Sequence, residues 1–136
     1  MDQQLHMCRD FTDMDIKDAF FSIPNFKSPG PDGFNSGFYK ATWHKIRPMM
    51  CAAVREFFYK GSMPIYISET KSIMLPKVPH PQSVTDFRPM SCYNVIYKVI
   101  TKLIGQRVKE ILPSIIDQSQ GPFVKGRELL YNMLIC

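Results

Sequence analysis

The sequence predicts an α+β domain that is mostly helical and contains one short antiparallel β-hairpin. Three stretches repeat apolar residues at the 3.6-residue period of a helix, and two short extended stretches flank a loop with two prolines. The chain has 136 residues, of which 45% are apolar and 21% charged. This length and composition are typical of a single globular domain with its own core.

Charge and composition narrow the classes of function. The net charge is +5, and residues 69–136 contain nine basic against five acidic side chains, so we expect a polyanionic partner for that half. No apolar run reaches the ~18–20 residues of a membrane span. Residues 1–10 are expected to be a loose end without a secretion signal. The four cysteines and three histidines are too dispersed for a zinc site, so we predict reduced cysteines and no bound metal.

The first helix is predicted to start after Thr12, which together with Asp15 resembles a capping box. Apolar residues follow at helical spacing as far as Ile23. Residues 27–33 contain two prolines and two glycines, which exclude both a helix and a central strand. We therefore expect a stiff turn there rather than a phosphate-binding loop, with Lys27 as its only charged contact for nucleic acid.

Two helical segments are predicted next. Residues 34–47 form one helix or two short pieces. Pro48 suits the first turn of the following helix, because its missing N–H group is not needed there. Apolar residues then keep a helical spacing as far as Phe58, and Gly61 is placed to end the helix. Residues 62–68 are expected to be a connector.

The hairpin is predicted from residues 70–77 and 87–91, joined by a loop over residues 78–85 that holds two prolines. A long amphipathic helix follows over residues 95–108. Pro113 is expected to end this helix, and Arg127 is expected to begin a further one.

Six blocks of the sequence resemble, in the same order, motifs of LINE-type (non-LTR) retrotransposon reverse transcriptases, and the plant version of the family is the most similar. They are K-S-P-G-P-D-G-F at 27–34, F-Y-K with Trp43 at 38–43, I-M-L-P-K at 73–77, D-F-R-P-M-S at 86–91, Y-K-V-I-T-K to Arg107 at 97–107, and Q-G-P-F-V-K-G-R with Asn132 at 120–132. Any one block is a weak signal, whereas six in register over residues 11–134 are specific. The sequence departs from the family pattern at Met90, Pro122 and Tyr131.

The resemblance implies a fold and an activity for the parent protein. The fold is the fingers subdomain of a right-hand polymerase, and residues 11–136 would be a partial reverse transcriptase domain that stops before the palm. The activity is RNA-directed DNA synthesis with two divalent metal ions, for which Mg²⁺ is implied. The family's metal-binding motifs, D-x-x-K-A-F-D and F/Y-A-D-D, do not occur in this sequence. We therefore assign no catalytic residue and no metal ligand, and we expect the chain to be catalytically incomplete.

The resemblance also implies roles for individual side chains. Lys77 and Arg88 would reach the triphosphate of the incoming nucleotide, which an ammonium and a planar guanidinium both suit. The template-proximal residues would be Gln120, Phe123, Gly126, Arg127 and Lys27. The alternative for Lys77 and Arg88 is two solvated side chains beside prolines. For Lys98, Lys102 and Arg107, the polar face of an amphipathic helix is favoured over a template track.

The expected nucleic-acid partners are an RNA template, an RNA–DNA hybrid or DNA. In the intact enzyme, a deoxynucleoside triphosphate and the missing palm and thumb of the parent protein are further partners. No membrane partner is expected. A nuclear location follows from analogy with the family alone. Two alternatives remain open at this point. In the first, the chain is a non-catalytic nucleic-acid-binding remnant. In the second, it is a truncated product with no independent function, and the exposed apolar faces of its helices would cause aggregation.

Overall fold

The computed structural model describes residues 9–115, which form five α-helices, one 3₁₀ turn and a two-stranded antiparallel sheet. The elements in chain order are α1 (Asp13–Phe21), α2 (Ser36–Ala41), α3 (Trp43–Lys60), α4 (Ile65–Ser68), β1 (Thr70–Pro76), the 3₁₀ turn (Val84–Asp86), β2 (Phe87–Tyr93) and α5 (Val95–Ile115). The predicted α+β class, mostly helical with one antiparallel hairpin, is therefore confirmed.

The chain divides into two compact units. The larger unit is Asp10–Leu103, and the smaller one joins Met1–Arg9 with Ile104–Cys136. Of the smaller unit, the structure describes Arg9 and residues 104–115. Three predictions fall partly or wholly outside the described residues. They are residues 1–8 of the loose end predicted for residues 1–10, the final helix, and the four template-proximal residues between positions 120 and 127.

The capping box predicted at the start of α1 is present. The backbone N–H of Thr12 donates to the Asp15 carboxylate over 2.9 Å, and the backbone N–H of Asp15 donates to the Thr12 hydroxyl over 3.2 Å. The helix buries Ile16, Ala19 and Phe20. It ends at Phe21, two residues before the predicted end.

The prediction that Pro48 lies in the first turn of α3 is wrong. The helix begins at Trp43, and Pro48 is an interior residue of it. The indole of Trp43 stacks on Phe20 of α1, with ring centroids 5.0 Å apart. Packing against α1 therefore sets the helix start, and the missing N–H of proline removes only one helical hydrogen bond. The predicted end is confirmed, because Gly61 has the left-handed φ of 66° that favours glycine.

The core of the larger unit lies where α1, α3 and the first half of α5 meet. Its buried residues are Phe11, Ile16, Ala19, Phe20, Ile23, Cys51, Val54, Val95, Val99, Ile100 and Leu103. The α5 members belong to the apolar stripe predicted from the sequence. Pro113 does not end α5 as expected, since the helix continues to Ile115.

The hairpin is longer than predicted at its second strand, which runs to Tyr93. Its antiparallel register pairs Thr70 with Tyr93 at one end and Pro76 with Phe87 at the other. Every residue of β1 is exposed to solvent, whereas β2 is buried at Cys92, next to its junction with α5. The hairpin therefore presents most of its length to solvent.

Candidate nucleic-acid interface

The basic side chains of the two strands and of Lys77 lie on one face of the hairpin. Leu75 lies opposite Arg88, and the backbone N–H of Lys77 donates to the carbonyl of Asp86 over 2.7 Å, which continues the register beyond the strands. Because side chains alternate between the two faces of a strand, Leu75, Lys77 and Arg88 point to the same side. Lys71 shares that side by the same alternation. We call this surface, made of Lys71, Lys77 and Arg88, the basic face of the hairpin.

The tip of the hairpin leaves the charge of Lys77 without an acidic partner. The Lys77 ammonium donates to the Thr85 carbonyl over 2.7 Å, and that oxygen is neutral. The nearby carboxylate of Asp86 instead accepts backbone N–H bonds from Ser83 and Gln82, each of 2.9 Å, and these bonds lower its pKa. Within residues 9–115, no carboxylate forms a salt bridge with any residue of the basic face.

The turn over residues 27–33 packs closely against the junction of β2 and α5. A Cβ atom on Gly30 would lie 2.3 Å from the side-chain oxygen of Asn94 and 2.6 Å from the carbonyl carbon of Tyr93, so only glycine fits. The buried Asn94 side chain accepts the backbone N–H of Asp32 over 3.3 Å and donates to the Tyr66 carbonyl over 3.0 Å. Asn94 thus connects the turn, α4 and the base of the hairpin.

Sequence reasoning missed Asn94. A single polar residue between two structured segments gives no periodic or motif signal, and its side-chain partners lie 62 and 28 residues away. The close contact between Gly30 and Asn94 explains why the turn has a glycine at position 30.

Lys40 has a structural role that the sequence did not indicate. Its ammonium donates to the carbonyls of Phe21 and Ile23 over 2.9 and 2.5 Å, and to the side-chain oxygen of Asn25 over 2.9 Å. The first two of these oxygens belong to the end of α1 and the residues just after it. A cation here also interacts favourably with the negative end of the helix dipole.

Tyr39 supports the same turn from α2. Its hydroxyl donates to the Asp32 carboxylate over 3.0 Å, and the other oxygen of that carboxylate accepts the backbone N–H of Phe34 over 3.1 Å. Burial, followed by the bond to Asp32 and its charge, raises the pKa of Tyr39 to about 12. The F-Y-K segment therefore holds the turn in place.

Two lysines of α5 contact the chain that follows α1. Lys98 donates to the Ser28 carbonyl, and Lys102 donates to the Ser22 carbonyl over 3.4 Å. Burial lowers the pKa of Lys98, and the charge of Lys27 contributes to this lowering. In the chain, Lys27 directly precedes Ser28, whose carbonyl Lys98 contacts. Lys27 itself is exposed. In the smaller unit, Arg107 donates to the carbonyl of Arg9.

The structure thus brings Lys77 and Arg88 onto one face and places Lys27 beside the start of α5. Trp43 and Tyr97 are packed against other rings, since Tyr97 stacks on Tyr93 with centroids 4.5 Å apart. Among residues 9–115, no group of three His, Cys, Asp or Glu residues is placed to hold a metal ion. No helix in this part of the chain is long and apolar enough to cross a membrane.

Comparison with known proteins finds a transposon relative. No protein-family model matches the sequence. The chain is 29% identical over 121 residues to the "Transposon TX1 uncharacterized 149 kDa protein" of Xenopus laevis. The matched region is 89% of this chain but 9% of that protein, so the chain spans under a tenth of its relative's length. The chain is therefore related to a transposon protein.

Proposed function

We propose that residues 11–136 are a part of the fingers of a reverse transcriptase from a LINE-type retrotransposon, and that Lys77 and Arg88 bind the triphosphate of the incoming nucleotide. The observation that supports this most is the hairpin register, which puts both cations on one exposed face. Neither cation forms a salt bridge within residues 9–115.

The chemistry of the two side chains suits a triphosphate. The ammonium of Lys77 acts as a compact point charge, and the guanidinium of Arg88 offers a planar fork that holds two phosphate oxygens. Because both belong to a hairpin exposed along β1, a nucleotide can reach them from solvent.

Two further observations support the family assignment. The match to the transposon relative covers 89% of the chain. Gly30 and Lys40, both motif residues, hold the turn and the end of α1 in place, so their presence has a structural cause. On this proposal, Lys27, Gln120, Phe123, Gly126 and Arg127 lie near the template.

On this proposal, the chain is catalytically incomplete. Phosphoryl transfer needs carboxylates to hold the divalent metals, for which the intact family enzyme uses Mg²⁺. Neither metal-binding motif occurs in the sequence, and the described residues provide no such cluster. Residues 9–115 therefore do not fit Mg²⁺, and we expect no DNA synthesis by this chain alone.

The test is a titration of the full chain with a fluorescent deoxynucleoside triphosphate, in competition with inorganic triphosphate. The variant Lys77→Ala/Arg88→Ala should bind both at least tenfold more weakly, since each charged hydrogen bond contributes ~1.5–3 kcal/mol. The control Lys45→Ala/Lys109→Ala removes the same charge at exposed positions and should bind as the wild type does. Equal binding by both variants would refute the triphosphate site.

Primer extension on an RNA template with Mg²⁺ or Mn²⁺ tests the catalytic part. We expect no extension, and any extension by the purified chain would contradict the proposed incompleteness. Salt-dependent RNA binding without triphosphate binding would instead support the nucleic-acid-binding remnant. The absence of both signals and of a cooperative thermal transition would support a product without independent function.

A further inference from the structure

Five lysines surround residues 21–28, the segment that follows α1. We name this surface the lysine turn; its cations are Lys17, Lys27, Lys40, Lys98 and Lys102. The ammonium groups of Lys17 and Lys40 lie 5.9 and 5.7 Å from the ring centroid of Phe21. The other three are Lys27, within the segment, and two lysines from α5 that donate to its carbonyls.

The lysine turn keeps most of its positive charge within residues 9–115. The hydrogen bonds of Lys40, Lys98 and Lys102 go to carbonyl and amide oxygens, which are neutral. In the part of the chain that the structure describes, no carboxylate forms a salt bridge with any of the five lysines. The carboxylate of Asp32 acts on Lys98 electrostatically and offsets a part of the positive charge there. The lysine turn therefore has a positive potential that attracts polyanions.

Elsewhere in the larger unit, cations of α3 do have acidic partners. Arg47 and Arg55 both bond to Asp13, over 3.2 Å for Arg47, and Lys60 bonds to Glu56 over 2.5 Å. These ion pairs reduce the local positive potential beside α3. Within residues 9–115, Arg47, Arg55 and Lys60 of α3 thus have salt-bridge partners, whereas the lysines of the lysine turn have none.

Phe26 lies within this positive surface with its ring in solvent. It is 95% exposed. Among the described residues, it takes part in no ring stacking, whereas Phe21, Phe34 and Phe38 all contact other rings. In the chain, Phe26 precedes Lys27 and lies between Ser22 and Ser28, whose carbonyls accept bonds from Lys102 and Lys98. An exposed ring together with cations is the combination that binds single strands, where bases stack on the ring and phosphates meet the lysines.

We propose that the lysine turn binds single-stranded nucleic acid, with one base stacked on Phe26 and the flanking phosphates on Lys27 and its neighbouring lysines. The proposal extends the template-side assignment of Lys27 and in that respect rests on the proposed function. It adds a stacking residue and a set of phosphate contacts on a surface other than the basic face of the hairpin.

Fluorescence anisotropy with a labelled oligouridine of about 12 nucleotides, within the site sizes known for single-strand binders, tests the proposal on the full chain. Phe26→Ala should weaken binding about tenfold at each salt concentration and leave the salt dependence unchanged, because it removes stacking but no charge. Phe26→Leu keeps an apolar side chain without a ring and should weaken binding to the same extent. Lys27→Ala should reduce the slope of log K against log salt by about 0.7, the value for one phosphate contact on a single strand.

Two matched variants control for exposure and charge. Tyr59 is 91% exposed on α3, beside the paired cations, so Tyr59→Ala should bind as the wild type does. Lys45→Ala removes one exposed charge that is not among the five of the lysine turn, and it should keep the wild-type slope. Single-stranded DNA should bind like RNA and depend equally on Phe26. Duplex RNA should show no effect of Phe26→Ala, since its bases are already stacked.

Three results would overturn the proposal: no binding of the oligouridine by the wild type, equal binding by Phe26→Ala, or an equal loss in Tyr59→Ala. The substitution at Phe26 removes no buried contact, and an unchanged thermal transition checks that the variants are folded. The proposed triphosphate site has its own readout, because Lys77→Ala/Arg88→Ala should lose triphosphate binding while its dependence on Phe26 for RNA persists. Failure of one proposal is therefore distinguishable from failure of the other.

Discussion

Replacing Gly30 with alanine should be among the most destabilising small substitutions in this protein. The added Cβ would lie 2.3 Å from the Asn94 side-chain oxygen and 2.4 Å from its backbone nitrogen. Relieving such overlap costs ~1–3 kcal/mol. Displacing the Asn94 side chain also removes its two hydrogen bonds, to Asp32 and Tyr66, at ~1 kcal/mol each. We therefore expect the free energy of unfolding to fall by about 3 to 5 kcal/mol, a large part of the ~5–15 kcal/mol of a typical domain.

Urea denaturation followed by far-ultraviolet circular dichroism measures this change, and two other glycines are matched controls. Gly105 lies in α5 with nothing within 4 Å of an added Cβ, so Gly105→Ala should stabilise the protein by ~0.5–1 kcal/mol. Gly33 has open space but a φ of 77°, so Gly33→Ala should cost ~1–2 kcal/mol through backbone strain alone. If Gly30→Ala costs no more than Gly33→Ala, the close approach to Asn94 does not exist.

Three further predictions concern side chains around the turn and the hairpin. Lys40→Met should lower the free energy of unfolding by ~1–3 kcal/mol, because three oxygens lose their donor. The control Lys45→Met should change it by less than ~0.5 kcal/mol. Equal effects of the two substitutions in urea denaturation would contradict the structural role of Lys40. The raised pKa of Tyr39, about 12, means that its neutral form stabilises the fold fully below pH ~10 and that this contribution is lost as pH rises through the folded pKa. Tyr39→Phe should therefore remove one late phenolate transition from the alkaline absorbance titration. Loss of a transition near pH ~10 instead would count against the bond to Asp32. The lowered pKa of Asp86 means that its stabilising contribution is present above pH ~4 and is lost as pH falls through the folded pKa. Asp86→Asn should therefore make the free energy of unfolding fall less steeply at acid pH than in the wild type. Equal slopes in the two proteins would show that the bonds from Ser83 and Gln82 are absent.

Local sequence patterns predicted the elements well where short-range interactions decide them. The capping box of Thr12 and Asp15 needs only residues three apart, and the helix end at Gly61 needs only one residue with a left-handed φ. Both positions are as predicted. The two hairpin strands were likewise predicted within two residues at each end.

The connector expected over residues 62–68 contains a short helix, α4. Two other predictions that were wrong rest on proline. Pro48 and Pro113 are each interior to a helix, although proline is favoured in the first turn and tends to end helices. A local preference of this kind is overridden when tertiary packing extends the helix, as the stacking of Trp43 on Phe20 does for α3.

The sequence by itself determined the α+β class, the order of helices and strands, the excess of positive charge and the resemblance that suggested Lys77 and Arg88. Only the tertiary structure decided which oxygens accept the bonds of Lys40, Lys98 and Lys102, and therefore which charges stay uncompensated. It also decided that Gly30 meets Asn94. The physical reason is distance along the chain: Asp32 and Asn94 are 62 residues apart, and Ser22 and Lys102 are 80 apart, so no local pattern links them. Such contacts follow only from how the helices pack around their shared core.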